Sequence, residues 1–263
     1  MSNPIKTARN GAVLELTIDR PKANAFDAAS SRALGEALVA YQGNDELRCV
    51  IITGAGDKFF SGGWDLKFAA DIGSDDSNVD YGPGGFAGLT EMWNLTKPVI
   101  AALNGMTIGG GWELALACDM VVAADHVRFW MPEVHRGIIA GGGGVLRLPR
   151  LLPYYVAMEI LLTGRWVEVA EMHSYGMVNR IVPHDQLMDA ARELAAPIAK
   201  AAPLAVQATK AVWHATADLS VKDAYAKIRR GDVAEHERML RSADYAEGPR
   251  AFAEKREPVF TGR

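Results

Sequence analysis

Cysteine is scarce in this chain: Cys49 and Cys118 are the only two among 263 residues, and each lies within an apolar run. That excludes a disulfide framework and a CxxC redox pair, and it fits a reducing compartment. Histidine is nearly as sparse, with six at 126, 135, 173, 184, 214 and 236, none at HExxH or another metal-ligand spacing, so no metal site is expected. The glycine stretches do not spell G-x-x-x-x-G-K-[ST], and Gly54-Ala-Gly56 lacks the third glycine of a dinucleotide fingerprint. Neither a nucleoside triphosphate nor NAD is supported, and without G-x-S-x-G there is no nucleophile elbow. Positive charge is in the minority, with a net formal charge of -4, which argues against nucleic acid as a partner. The basic clusters at 227–230 and 250–256 read as solvated helix faces. No apolar run is long enough to span a bilayer; the nearest, residues 98–125, is interrupted by Asn104, Glu113, Asp119 and a glycine triple. The stretch MSNPIKTARNG lacks the apolar centre of a signal peptide, so the expectation is a cytoplasmic protein with no membrane attachment.

The chain is instead rich in one place, residues 104–119, NGMTIGGGWELALACD. It follows an apolar run of strand length at 99–103, turns at Asn104-Gly105, and passes through Gly109, Gly110 and Gly111 into a helical pattern. Glycines without Cβ atoms let main-chain N–H groups face a ligand, and the helix they open adds the positive end of its dipole. Glu113 stands in the first turn, where a carboxylate either complements that dipole or does chemistry.

Elsewhere, Leu14, Leu16 and Ile18 alternate with Val13, Glu15 and Thr17 as in a strand with one drier face. Asp27 can cap a helix carrying Leu34 and Leu38. Residues 50–53 read as a buried strand running into a long glycine-flanked loop, 54–65, and long loops in compact domains are functional or mobile. Residues 71–85 read as a flexible surface loop and 86–95 as a helix. Short strands are expected at 121–124, 127–130 and 178–182. A helix from 145 is broken or kinked at Pro149 and Pro153, and later helices break at Pro197, Pro203 and Gly248-Pro249. Strands and helices alternate and helices alone follow, which predicts an α/β core over 1–200 and an appended helical region over 201–263.

Two strand-to-loop transitions, after Thr53 and after Leu103, end in glycines. In a parallel sheet both emerge on one edge, where backbone N–H groups can converge on a single oxygen. Glu133 supplies a second carboxylate close to Glu113 in sequence, although Pro132-Glu133 is also a common start to a helical turn.

The segments PVIAALNGMTIGGGWELALACD, FWMPEVHRGI and FFSGGWDLK resemble, in order and spacing, the motifs of the crotonase superfamily, the enoyl-CoA hydratase/isomerase family. The stretches PKANAFDA, GPGGFAGLTEMWNLTKPVIAALNG and EGPRAFAEKREPVFTGR narrow the resemblance to the branch that hydrates or dehydrates carnitine-type acyl-CoA thioesters. The resemblance implies a spiral of repeated ββα units with a C-terminal helical trimerisation region, as a homotrimer or a dimer of trimers. It also implies an acyl-CoA substrate whose coenzyme A is part of the substrate, with no separate cofactor. Trp64 and Gly110 would offer their backbone N–H groups to the thioester oxygen. Glu113 and Glu133 would be the acid/base pair that adds or removes water across the α,β double bond.

Substrate contacts are expected from Lys22, Asn24, Gly63, Asp65 and Leu66, from Gly109, Gly111, Trp112 and Gly141, and from Phe252 and Lys255. The last two lie in a segment that resembles one reaching a neighbouring subunit's coenzyme A. Trp64, Trp112 and Trp130 are candidates either for a quaternary ammonium site or for core packing. At Ile139-Ala140-Gly141 the chain departs from the proline-containing pattern of many family members. A general short-chain enoyl-CoA hydratase, an isomerase, and a CoA- or RNA-binding relative are the competing readings.

Overall fold

The computed structural model describes residues 3–73 and 79–263; residues 74–78, inside the expected loop at 71–85, lie outside the described residues. The chain opens on β1 (Ile5–Asn10) and β2 (Val13–Ile18), an antiparallel pair turning at Gly11, whose φ of 58° suits glycine. β1 leaves no sequence signal because only Ile5 is buried along it. α1 (Ala28–Gly43) begins as expected at Asp27. The Asp27 side chain accepts from Ser30 N–H at 2.8 Å, and Ser30 Oγ accepts from Asp27 N–H at 2.9 Å.

A repeated unit comes next. β3 (Cys49–Gly54), β4 (Phe59–Ser61) and α2 (Leu66–Asp71) form the first copy; β5 (Val99–Leu103), β6 (Met106–Ile108) and α3 (Gly110–Ala117) form the second. β7 (Met120–Ala124), β8 (Arg128–Trp130), α4 (Gly144–Leu151) and α5 (Tyr154–Thr163) form the third, longer one. β9 (Trp166–Glu168), α6 (Val169–Ser174) and β10 (Arg180–Val182) close the strand-bearing part. α7 (Leu187–Lys200), α8 (Pro203–Thr216), α9 (Val221–Arg229), α10 (Ala234–Leu240) and α11 (Ala243–Ala253) complete the chain.

In each unit the first strand joins one sheet and the second strand joins another. The six-stranded sheet runs β1-β2-β3-β5-β7-β10, parallel from β2 onward, and the four-stranded sheet runs β4-β6-β8-β9, with β9 antiparallel. This is the expected α/β spiral of ββα units with helices at its C-terminal end.

The larger sheet is covered on both faces, which is why β3 and β5 are buried at every residue and read as continuous apolar runs. One face carries Leu16, Ile18, Val50, Ile52 and Ala101 into the main core. The other seats Val13, Ile51, Ile100 and Val122 against Leu187, Ala191 and Ala195 of α7. Val13 therefore faces a second core rather than the wet side of a one-faced strand. Arg192 of α7 clasps Glu15 of β2 with two hydrogen bonds of 2.8 and 3.0 Å.

Several expected boundaries move. The loop at 54–65 contains β4, and the turn at Asn104 leads first into β6, since three-residue strands are too short to show a period. Residues 86–95 do not form a helix: a single 3-10 turn spans Phe86–Gly88, with φ of 50° at Ala87, and turns succeed it. The glycines at 84, 85 and 88 all take positive φ, which no α-helix can continue. Pro149, Pro197 and Pro249 lie inside α4, α7 and α11 rather than breaking them. Pro149 and Pro197 fall near the C-terminal ends of their helices, where one lost ladder bond leaves the earlier turns intact, and Pro249 stands just past the middle of α11. Pro153 does separate α4 from α5, and Pro203 occupies the first position of α8, where its missing N–H costs nothing. Among the described residues no helix is long and apolar enough to cross a membrane.

Candidate active site

The two glycine-bearing transitions converge because β3 and β5 are parallel neighbours and two asparagines fasten the loops that leave them. Asn104 accepts from Gly54 N–H at 2.9 Å and donates to Gly56 O at 2.8 Å. Asn24 donates to Ala55 O at 3.0 Å and Phe59 O at 2.9 Å, while its own carbonyl accepts from the Ser61 hydroxyl at 2.8 Å. β4 and β6 then run in parallel and deliver Gly62-Gly63-Trp64 beside Gly109-Gly110-Gly111. The approach is so close that a Cβ on Gly63 would stand 2.6 Å from Gly110 N.

Phe26 N–H donates to Gly63 O at 2.7 Å and Asp65 N–H to Phe26 O at 2.8 Å. The Trp64 N–H between them finds no acceptor among the described residues, and neither does the N–H of Gly110, which opens α3. Two unspent main-chain donors thus sit side by side at a helix N-terminus, an arrangement able to bind an oxyanion.

The two carboxylates border these donors. Glu113, in the first turn of α3, is only 4% exposed, and its Oε1 accepts from Gly144 N–H at 2.8 Å. Burial pushes its carboxyl up to about 7 from an ordinary 4.5, and the charge of Glu133 adds to the rise. The N–H groups of Gly144 and Gly142 and the Arg147 guanidinium hold it back. Glu133 stands in a 3-10 turn after β8; burial raises its carboxyl too, and its Oε2 is enclosed without a hydrogen-bond partner. Glycine makes room for both. A Cβ on Gly109 would come within 2.5 Å of Glu133 Oε1, and one on Gly142 within 2.7 Å of Glu113 Oε2. A buried acid poised near neutrality, beside a half-buried one whose affinity for protons is also raised, can exchange a proton with a bound molecule.

The remaining expected contacts sort differently. Gly63, Gly109 and Gly111 line the convergence; a Cβ on Gly111 would strike Ser61 O at 2.5 Å, so its role is close strand-to-helix packing. Asn24 spends its amide on the loop, which makes it a brace instead of a ligand. Asp65 caps α2 through Lys67 N–H and Phe68 N–H and pairs with Arg20 at 2.8 Å, which also accounts for it structurally. Lys22, Leu66 and Gly141 are exposed. Trp112 is fully buried, tilted against Phe129, with its Nε1–H donating to Met177 Sδ at 3.3 Å; it fills the core and does not touch the cleft. Trp130 stacks on Trp166 at 4.7 Å and donates to Gly164 O, so its ring is also occupied. Trp64 Nε1 is buried without a partner. Phe252 in α11 is 87% exposed, and Lys255, just beyond that helix, is exposed with φ of 55°.

Phe86 and Gly142 escaped the sequence reading. A Cβ on Gly110 would come within 2.5 Å of Phe86 Cζ, which puts the ring against the glycine that opens α3. The glycine run 141–144 was visible in the sequence, but its contact with Glu113 depends on tertiary packing. An apolar cavity of about 180 Å³ adjoins Glu133, lined also by Val134, Ile139, Val145, Met158 and Leu162. Among the described residues no three His, Cys, Asp or Glu converge as a metal site.

Comparison with known proteins gives consistent matches. The family model described as Enoyl-CoA hydratase/isomerase matches residues 8–263. A carnitinyl-CoA dehydratase from Salmonella paratyphi B is 51% identical over 263 residues, covering 100% of both chains. Among solved structures, an enoyl-CoA hydratase from Mycobacterium tuberculosis H37Rv superposes with a TM-score of 0.90 at 40% identity, covering both chains fully. A carnitinyl-CoA dehydratase from Mycobacterium avium 104 does so with a TM-score of 0.76 at 42% identity and the same coverage.

Proposed function

The chain belongs to the enoyl-CoA hydratase/isomerase family, and from that premise we propose that it is a carbon–oxygen lyase adding water to, or removing it from, the α,β double bond of an acyl-CoA thioester. The pair crotonobetainyl-CoA and carnitinyl-CoA is the substrate class, in keeping with the names of its full-length relatives. The observation that carries the reaction type is the contrast between the two acids. Glu113 has one oxygen already held by Gly144 N–H, whereas Glu133 Oε2 is enclosed and unpartnered and its Oε1 lies beside Gly109.

In the hydration direction the thioester oxygen lies between the N–H groups of Trp64 and Gly110. Ionised Glu113 takes a proton from water as the water oxygen bonds to the β-carbon. The π electrons move toward the thioester oxygen, and each N–H donor there is worth about 2.7 to 4 kcal/mol of barrier. Protonated Glu133 then delivers its proton to the α-carbon as the enolate collapses. Dehydration runs the same steps backwards, with Glu133 removing the α-proton and Glu113 protonating the departing hydroxyl. One proton enters and one leaves, and the coenzyme A belongs to the substrate, so the chemistry calls for no further cofactor.

The cavity beside Glu133 favours a second reading. Its lining is aliphatic and sulfur-containing, which suits an uncharged acyl tail and a general enoyl-CoA hydratase. Turnover of crotonobetainyl-CoA, crotonyl-CoA and hex-2-enoyl-CoA separates the two. A kcat/KM highest for crotonobetainyl-CoA supports the carnitine reading, and one rising with uncharged chain length supports the other.

The assembly is a homotrimer or a dimer of trimers in this proposal. Trp93, Tyr155, Trp213 and Phe252 are exposed large aromatic side chains in the single chain and are suited to subunit contacts. Deleting residues 251–263 should break the assembly or weaken coenzyme A binding; a truncated protein keeping both, by light scattering and by product inhibition with free coenzyme A, refutes the role given to Phe252 and Lys255.

A further inference from the structure

The Phe86 ring reaches both halves of the cleft. One edge lies against the oxyanion glycine, and a Cβ on Gly142 would stand 3.1 Å from Phe86 Cδ1 and 2.7 Å from Glu113 Oε2. The ring therefore runs between the donor that fixes the thioester oxygen and the carboxylate that handles water. Hydratase chemistry puts the β-carbon within reach of that carboxylate, so the γ-substituent must lie close to this ring.

The ring is held rigidly and left partly open. Ala87 N–H donates to Ser31 Oγ at 3.0 Å, Thr90 Oγ donates to Phe86 O at 2.8 Å, and the positive φ angles at 85, 87 and 88 fix the turn around it. Phe26 packs beneath it edge-on at 6.1 Å and is fully buried, while Phe86 is only half-buried. Tyr81 meets it edge-on from another side at 5.7 Å and 82°. An aromatic that served only to fill the core would be expected to bury as Phe26 does.

We propose that Phe86, backed by Tyr81, is the specificity-determining wall of the acyl site and recognises a quaternary ammonium group on the γ-carbon. The inference rests on the hydratase reading and names the group that the site selects. Trimethylammonium is bulky, apolar at its surface and positively charged, and an aromatic ring beside a buried carboxylate answers all three properties. The tryptophans do not supply this wall, since Trp112 and Trp130 are engaged elsewhere.

The test compares crotonobetainyl-CoA, crotonyl-CoA and 5,5-dimethylhex-2-enoyl-CoA, the last having the shape of the first without its charge, on wild type, Phe86→Leu and Phe86→Tyr. Wild type should favour the charged substrate over its neutral isostere by roughly tenfold in kcat/KM, the scale of a desolvated cation–π contact. Phe86→Leu should erase most of that preference by lowering kcat/KM for the charged substrate more than for its isostere, and Phe86→Tyr should retain it. Equal losses on the charged substrate and its isostere, or a wild type that does not distinguish them, overturn the inference; the wild-type ratio decides even if the Leu variant does not fold. A wild type that hydrates crotonyl-CoA and not crotonobetainyl-CoA overturns the carnitine reading together with it. Absence of turnover on all three overturns the hydratase reading itself.

Discussion

Replacing Glu113 by Gln should make the protein more stable and catalytically inert at once. The Glu113 carboxyl rises from 4.5 to about 7 because burial disfavours its charged form and Glu133 lies nearby. Each pKa unit corresponds to about 1.4 kcal/mol, so ionising this acid in the folded state costs roughly 3 kcal/mol more than in the unfolded chain. Between pH 4.5 and 7 the folded state binds more protons than the unfolded one. Stability contributed by the neutral acid is therefore present in full below that window, declines as pH rises through it, and is gone above it. Gln cannot ionise, yet its oxygen can still accept from Gly144 N–H. The variant should match wild type near pH 4.5 and exceed it by up to roughly 3 kcal/mol at pH 8. Urea unfolding at one protein concentration, followed by circular dichroism at pH 5, 6, 7 and 8, measures the difference; fixing the concentration removes the assembly contribution. Hydratase kcat at pH 7.5 should meanwhile fall by at least about a hundredfold. A stability difference flat with pH, or a Gln variant weaker at pH 8, refutes the account of Glu113 as a buried acid poised near neutrality.

Three further outcomes are expected from the same geometry. Glu133→Gln should also cost at least about a hundredfold in kcat, and by removing the neighbouring charge it should shift the Glu113 titration below 7, visible as a narrower pH window of changing stability. Gly142→Ala inserts a methyl 2.7 Å from Glu113 Oε2 and should lower kcat while costing about 1 to 3 kcal/mol in unfolding free energy; unchanged kinetics would remove Gly142 from the site. The pH profile of kcat/KM should be a bell with a limb near 7, and it should have the same shape for hydration and dehydration because the overall reaction consumes no proton. A kcat/KM that rises or falls in one direction only across this range, without a second limb, would show that the singly protonated pair is not the active form.

Much of the core was legible because long elements state their own pattern. Asp27 announced the start of α1, and the apolar runs at 50–53 and 99–103 announced β3 and β5. Three-residue strands carry no period: β8 and β10 showed only as short apolar stretches at 127–130 and 178–182, and β4, β6 and β9 were lost or absorbed into loops. Phe86 was misplaced for another reason. Residues 86–95 have helix-like composition, but the glycines at 84, 85 and 88 take positive φ, and Gly88 packs against α1, where a Cβ would come within 2.6 Å of Ser31 O. At the site, the resemblance picked out Glu113, Glu133, Trp64 and Gly110, and the fold brings these segments to one cleft. It did not separate ligands from braces: Asn24, Asp65 and Trp112 are each fully employed in hydrogen bonds or packing. Recurring presence in a motif marks a position as constrained without saying whether substrate or fold constrains it.

The spiral explains why the chemistry assembles where it does. β4, β6 and β8 are parallel neighbours, with Ser61 opposite Thr107 and Ile108 opposite Trp130. Just beyond the end of each strand stands one component: the Trp64 N–H after β4, the Gly110 N–H after β6, and Glu133 after β8. Gly109 N–H donates to Trp130 O at 2.7 Å, joining the second position to the third. Equivalent points on three successive units thus meet along one sheet edge, although no sequence period of fixed length betrays them. Glu113 joins from the helix that the second unit starts. The groups that differ in character, Phe86 and the stretch 139–144, lie on the long connections between β4 and β5 and between β8 and α4. The strands of the spiral and the helix α3 fix the two main-chain donors and the carboxylates, and the connections form the walls beside them. Changes of substrate should therefore accompany exchange of the connections, with the reaction type left to the strands.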